Sequence, residues 1–385
     1  MAAAALALLV LFGVVIRIRH KDGTETVVEV PEGSQVVIET KGSEPVKPPA
    51  PVGLDALVPQ PVAIRGLQGH TGPVTCVALT PDAKYAVSGS KDCSVRVWDV
   101  ATGREVACFL GHGGTISDID VLPDGKRVLS VADGSMILWE LRTANVIRRF
   151  RLKSAGRISV SPDGKQAVCS GDLDGKGGVC LFELATEKKL GHAATGTSSA
   201  DIKALDYSPD GKHALCGMYD STLRLVNLET FSEVKRLPGH SQRVTGVAIS
   251  REGRRAVSGS WDQKIRIWDL AKGRTTALMQ GKANVSGVDI SADGRRAVSC
   301  YVDMIRPEAN AYVHLWDADT GREIAHHQQH TLRVTCVAIS PDGRWAVSGS
   351  DDKTLCLWRL PEPAAIPSTI TDPEGNLTGE KPANP

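Results

Sequence analysis

Aromatic side chains make up only 4 % of this 385-residue chain, and basic and acidic residues nearly cancel, with 45 Lys and Arg against 44 Asp and Glu. A net charge this close to zero gives no overall pull toward nucleic acid or an acidic surface. The longest uncharged apolar stretch, Met1 to Ile16, falls short of the roughly twenty residues a bilayer-spanning helix needs. Nine cysteines are present, an odd number, and no two share a CxxC spacing. That excludes a cysteine zinc knuckle or a dithiol motif and leaves small buried hydrophobes, with free thiols leaning toward a reducing compartment.

What the chain does contain is a repeat. Between Ile64 and Leu360 one cassette of roughly forty residues recurs seven times, ending three times in Trp-Asp at Trp98-Asp99, Trp268-Asp269 and Trp316-Asp317. The first cassette runs Gly69-His70, Val74 to Leu79, the turn Pro81-Asp82-Ala83-Lys84, Ala86 to Ser90, Asp92, and Val95 to Asp99; the cassettes starting at Gly239-His240 and Gln329-His330 reproduce it without insertion or deletion. Four to six Val- and Ile-rich residues between Pro-Asp-Gly or Thr-Gly turns are short antiparallel strands. Each cassette is a small twisted sheet that can bury its faces only against its neighbours.

These residues resemble the WD-repeat β-propeller family over about three quarters of the chain, and such a fixed period with Gly-His and Trp-Asp ends is a specific signature. The resemblance implies an all-β, seven-bladed β-propeller of four-stranded blades. It also implies a structural hydrogen-bond chain of Trp to Ser to His to Asp in each intact blade: His70, Ser88, Asp92, Trp98; His240, Ser258, Asp262, Trp268; and His330, Ser348, Asp352, Trp358. A His-Ser-Asp set also suggests a hydrolase triad. Satisfied buried polar groups rigidify a sheet, however, whereas a nucleophile must open into a cleft beside an oxyanion hole. No catalytic residue is expected.

The other cassettes are degraded. The second keeps His112, Ser130 and Trp139 with Asp133 one residue early; the third has Cys169 and Phe182 for Ser and Trp. The fourth has Gly191-His192, an insertion near Thr195 to Ser199, Cys216, Asp220 and Val226-Asn227; the sixth has Lys282 at the His position and an insertion from Met304 to Ala311. These blades form the softer side of the ring. After Trp358-Arg359-Leu360 the prolines at 361 and 363 stop the last cassette before its outer strand. Pro61 to Leu67 precedes the first Gly-His as Glu105 to Phe109 precedes the second, so an N-terminal outer strand is expected to complete blade seven and close the ring.

The organisation read from the sequence is an apolar segment at 1–16, a short β segment at 17–40, a Pro-rich linker at 41–60, the propeller at 61–360 and a disordered Pro-rich tail at 361–385. The apolar start is a candidate membrane anchor through residues 2–16; a signal peptide and a buried start are the alternatives. Arg17, Arg19, His20 and Lys21 would then hold the propeller on the cytoplasmic side, and the alternative location is cytoplasmic and soluble. An apolar segment, a β linker and a propeller also resemble the non-catalytic half of certain bacterial membrane Ser/Thr kinases, which implies a sensor or ligand-binding module. The kinase motifs are missing: there is no Gly-rich phosphate loop, His-Arg-Asp or Asp-Phe-Gly.

No cofactor or metal is expected. His326, His327 and His330 form His-His-x-x-His, but His330 already belongs to a structural tetrad, and Asp172-Leu173-Asp174-Gly175 lacks the downstream Glu of a calcium loop. Function is therefore sought on the faces of the ring. In the resembling family the Gly-His loops and the tetrad Asp share the top, docking face. Lys91, Tyr219, Trp261 and Asp351 precede the tetrad Asp position, and Arg243 and Arg333 precede inner strands, so Lys91, Tyr219, Arg243, Trp261, Arg333 and Asp351 are the candidate partner-binding residues, an aromatic and basic patch of the kind that anchors protein interfaces. The opposite face carries a ring of cations, Lys84, Lys126, Lys165, Lys212, Arg254, Arg295 and Arg344, read as solvated turn chemistry. The expected function is a non-catalytic scaffold for a protein or peptide partner, with no nucleic acid.

Overall fold

The computed structural model describes residues 15–19, 25–29, 62–152, 155–173, 176–195, 201–303 and 311–361. All regular elements among them are strands. Near the N-terminus, Val15–Arg19 pairs antiparallel with Glu25–Glu29. Val15 and Ile16 thus belong to a strand; the rest of the apolar segment, the linker at 41–60 and the tail after Pro361 lie outside the described residues. No helix among the described residues is long and apolar enough to cross a membrane.

From Val62 onward, seven four-stranded antiparallel sheets follow one another. Their inner strands are Val74–Leu79, Ile116–Val121, Ala155–Val160, Ile202–Tyr207, Val244–Ile249, Asn284–Ile290 and Val334–Ile339. Each inner strand contacts the next, and the seventh contacts the first, which closes a seven-bladed propeller. Blade seven takes its outer strand from the N-terminal side: Val62–Gln68 pairs with Thr354–Arg359. Both the blade number and this closure agree with the sequence reading.

The apolar core is partitioned in the same way. Among the described residues it forms seven clusters, each drawn from two adjacent blades. This is why a single sheet would not stand alone. The Gly of each Ser-Gly-Ser lies where the next blade comes closest: a Cβ on Gly89 would sit 2.5 Å from Ile116, and one on Gly349 2.4 Å from Val74. Polar contacts run between blades too. Thr75 Oγ1 donates to Ile116 O at 2.6 Å, and Thr335 Oγ1 to Val74 O at 2.6 Å across the closure.

Three inner-strand carboxylates bridge blades in one register. Asp120 accepts from Val160 N at 2.8 Å, Asp206 from Ile249 N at 2.7 Å, and Asp289 from Ile339 N at 2.8 Å. They join blades two to three, four to five and six to seven.

The cationic ring opposite the candidate docking face belongs to the turns after the inner strands. The amide of Lys126 bonds Asp124 Oδ1 and that of Arg295 bonds Asp293 Oδ1. The carbonyls of Lys84, Lys126, Lys165, Lys212, Arg254, Arg295 and Arg344 each accept from the residue after the Trp-Asp position. The preceding residue has positive φ in every turn, and six are Gly while the seventh is Ala83 at φ 55°. A left-handed Ala costs roughly 1–2 kcal/mol, and part of that is offset by the larger freedom of Gly in the unfolded chain. Ala83→Gly should therefore stabilise the protein by about 0.5–1 kcal/mol. A thermal melt with an unchanged or lower midpoint would refute this.

Candidate functional site

The three intact cassettes hold the same hydrogen-bond chain. Trp268 Nε1–H donates to Ser258 Oγ at 2.8 Å, Ser258 is 2.8 Å from His240 Nε2, and His240 Nδ1 is 2.9 Å from Asp262 Oδ2. Trp98, Ser88, His70 and Asp92 repeat this at 2.9, 2.8 and 2.9 Å, and Trp358, Ser348, His330 and Asp352 at 2.9, 2.8 and 3.0 Å. Indole N–H can only donate and carboxylate only accept, so Ser donates to Nε2 and Nδ1–H donates to Asp. Burial disfavours charge on Asp92, but hydrogen bonds from Ser94, Thr71 N–H and His70 outweigh it and hold the carboxyl well below its ordinary range. Ser88, Ser258 and Ser348 have no accessible surface, so none of these sets faces a cleft.

The degraded blades solve the problem differently. In blade two His112 still meets Ser130 at 2.7 Å, but its Nδ1 faces Ser135 Oγ at 3.2 Å in place of Asp133. In blade six Trp316 donates to Ser299 at 2.8 Å and Ser299 donates to Tyr301 Oη at 2.9 Å. Tyr301 thus does the work of the absent histidine, and Lys282 reaches over the Tyr312 ring instead. Gly191 and His192 are within the outer strand of blade three, opposite Leu181 and Cys180, and do not form the connection to blade four. Most of the insertions at 195–199 and 304–311 and half of the 172–175 loop lie outside the described residues. The His-His-x-x-His run is dispersed: His330 is in its tetrad, the His327 ring lies tilted against that of Trp358 at 4.6 Å, and His326 turns to Glu323.

The tetrads also define one face, because His70 and Asp92 join the connection before an inner strand to the turn between the second and third strands. Tyr219, Trp261, Lys91 and Asp351 occupy those turns, and Arg243 and Arg333 the connections. Backbone bonds knit the pairs: Trp261 N donates to Arg243 O at 3.1 Å and Asp351 N to Arg333 O at 3.2 Å. The Arg243 guanidinium lies 3.1 Å from the centre of the Trp261 ring and 5.6 Å from that of Tyr219. Arg333 is ion-paired with Asp351.

Trp261, Arg243 and Arg333 line one cavity of about 360 Å³, together with Arg157, Lys203 and Val302. Arg157 of blade three bonds both neighbouring blades, its Nε donating to Lys203 O at 2.8 Å and its Nη1 to Ser117 O at 3.2 Å. Burial, then the charges of Arg243 and Arg157, lowers the pKa of Lys203. The structure therefore brings Arg243, Trp261 and Arg333 to one basic cavity; Tyr219 joins through Arg243 and Asp351 through Arg333, and neither they nor Lys91 are among the lining residues. Sequence reasoning missed Arg157 and Lys203, which lie on inner strands and show no loop signal.

Residues 61–99, 103–140, 186–227, 231–269 and 321–359 match the family described as WD domain, G-beta repeat. Among known proteins, the chain is 25 % identical over 315 residues to the WD repeat-containing protein WDS homolog of Arabidopsis thaliana, covering 80 % of this chain and 58 % of that one. It is 23 % identical over 309 residues to Autophagy-related protein 16 of the same plant, covering 79 % and 59 %. To the small ribosomal subunit protein RACK1y of Oryza sativa subsp. japonica it is 26 % identical over 328 residues, covering 76 % and 94 %. The chain thus spans less than two thirds of the two Arabidopsis relatives. All three are eukaryotic and none is named as a kinase, so the resemblance to bacterial membrane kinases gains no support from them.

Proposed function

As the chain belongs to the WD-repeat family, we propose that it is a non-catalytic scaffold that takes a protein or peptide partner on the face carrying Tyr219, Arg243, Trp261 and Arg333. The observation that carries this reading is the cavity lined by four cations, Arg157, Lys203, Arg243 and Arg333, beside Trp261. A fixed aromatic and guanidinium pair offers a flat, rigid anchor, and Arg and Trp are the side chains that most often dominate interface energetics. The excess of positive charge selects an acidic segment, because an incoming carboxylate would relieve the crowding of like charges around Lys203. The proposed location is cytoplasmic; in support, none of the nine cysteines is joined in a disulfide. A tether in residues 2–16 is not required by this reading.

The test is affinity capture from native extract with wild type and with a Trp261→Ala/Arg333→Glu variant of unchanged melting temperature. A partner retained by wild type and lost from the variant is expected, with affinity falling as salt rises. Losing the aromatic anchor and reversing one charge should weaken binding by about 100-fold or more. Identical captures from the two proteins would remove this face from consideration.

A further inference from the structure

The third and outer strands of blade six, Tyr312–Asp317 and Glu323–Gln328, bring together residues that the top face does not use. His314 and His326 are direct cross-strand partners, and Glu323 is opposite Trp316. The Nδ1 atoms of both histidines converge on one oxygen, Glu323 Oε1, at 3.1 Å from His314 and 2.5 Å from His326. Ligand atoms from the three residues all lie within 4.8 Å of one another. His314 is only 1 % exposed, and neither ring nitrogen has a hydrogen-bond partner among the described residues.

We propose that His314, Glu323 and His326 bind one divalent transition-metal ion, with zinc the best fit. Two imidazoles and one carboxylate, with a fourth position left to water, are a standard zinc ligand set. The geometry at His314 separates this reading from an ordinary hydrogen bond. Its Nδ1 is close to Oε1, yet the carboxylate is out of line with the ring nitrogen, so the contact fails as a hydrogen bond. Two ligands of one tetrahedral ion with bonds of about 2.0 Å stand off-axis at roughly 3.3 Å from each other.

Blade one shows what this position holds without such a set. There Arg96 and Glu105 occupy the equivalent places and form an ion pair at 2.5 Å. In blade six the arginine is replaced by a buried imidazole. A cation bound beside Glu323 would supply the charge that Arg96 supplies beside Glu105 in blade one.

The surroundings suit a fixed ligand and an open side. His314 is held edge-on to Tyr301 at 4.9 Å and stacked on Trp316 at 5.7 Å. Glu323 is exposed and His326 half-buried, so an ion can enter from solvent and the short His326 contact can open to coordination distance. The sequence run His326, His327, His330 contributes only its first member; the other two ligands come from across the sheet.

Cobalt titration of the metal-stripped, untagged full chain tests the site. A tetrahedral visible absorption band saturating at one equivalent is expected, displaced by zinc. His326→Ala, a half-buried position that spares the core, should weaken binding by about 100-fold. His213→Ala, which removes an exposed His–Asp pair elsewhere, should leave it unchanged. Absence of a saturating band, unchanged affinity in His326→Ala, or loss of affinity in His213→Ala would each overturn the proposal, the last two by assigning the ion to adventitious surface histidines.

Discussion

A variant that begins at Gly69 will lose the cooperative melting transition of the ring or melt at least about 10 °C lower than one that begins at Val58. Val62–Gln68 supplies the fourth strand of blade seven, paired along its whole length with Thr354–Arg359. Removing it strips a backbone ladder from the third strand and empties the place of Leu67, which is 2 % exposed within the core between blades seven and one. A deleted buried leucine alone costs about 2–5 kcal/mol. The bared strand Thr354–Arg359 also becomes an edge with unpaired N–H and C=O groups, so the shortened protein should self-associate as concentration rises. Differential scanning calorimetry with sedimentation analysis decides the matter. A shortened protein that stays monomeric and melts within a few degrees of the control would mean that Thr335 to Val74 and the inner strands close the ring without the outer strand.

That closure was legible in the sequence because two independent features agreed: Pro361 halts the last cassette one strand early, and the residues before Gly69 supply a strand in the correct phase. The blade number followed from the period for the same reason. Features that depend on cross-strand register were not legible. Tyr301 stands where the intact cassettes have the second serine of Ser-Gly-Ser, and only the blade shows its hydroxyl reaching Ser299. Gly191-His192 copies the spacing of a loop motif yet pairs in a strand, because the strand of blade three continues to Ala194. His314, Glu323 and His326 have no metal-site spacing along the chain; their convergence exists only because 314 faces 326 across a hairpin. Arg157 and Lys203 alternate into the channel from inner strands, where a charged residue looks like the solvent side of an ordinary amphipathic strand. Local pattern fixed which segments are strands and how many blades they make, whereas the chemistry of the faces came from neighbours forty residues apart.

The three bridging carboxylates should make the ring less stable as pH rises from about 4 to 7. Burial, reinforced by mutual repulsion, pushes Asp120 and Asp206 up to about 7 and Asp289 to about 6, against the hydrogen bonds each accepts from the next blade. A carboxyl whose folded pKa lies above its unfolded value binds its proton more tightly in the native state. Its contribution is fully present below the unfolded pKa near 4 and is lost as pH climbs through the folded pKa. The buried histidines act in the opposite sense. Burial lowers His70 and His240, and brings His112 to about 4, so their contribution is present above about 6.5 and is lost as pH falls. Wild-type melting temperature therefore mixes two opposing slopes, and a difference measurement separates them. In Asp120→Asn/Asp206→Asn/Asp289→Asn the amide oxygen can still accept the backbone N–H while no proton titrates. Each residue is half-buried by area, so solvent reaching the carboxylates reduces the effect; even so, the variant should gain at least about 2 kcal/mol on wild type between pH 5 and pH 8, or roughly 4 °C in melting temperature. Imperfect replacement of the three hydrogen bonds would shift the variant by the same amount at every pH and leave that slope intact. A difference that stays flat from pH 5 to pH 8 would mean that the carboxylates titrate as they do in water, and that repulsion among blades two, four and six does not tune the ring.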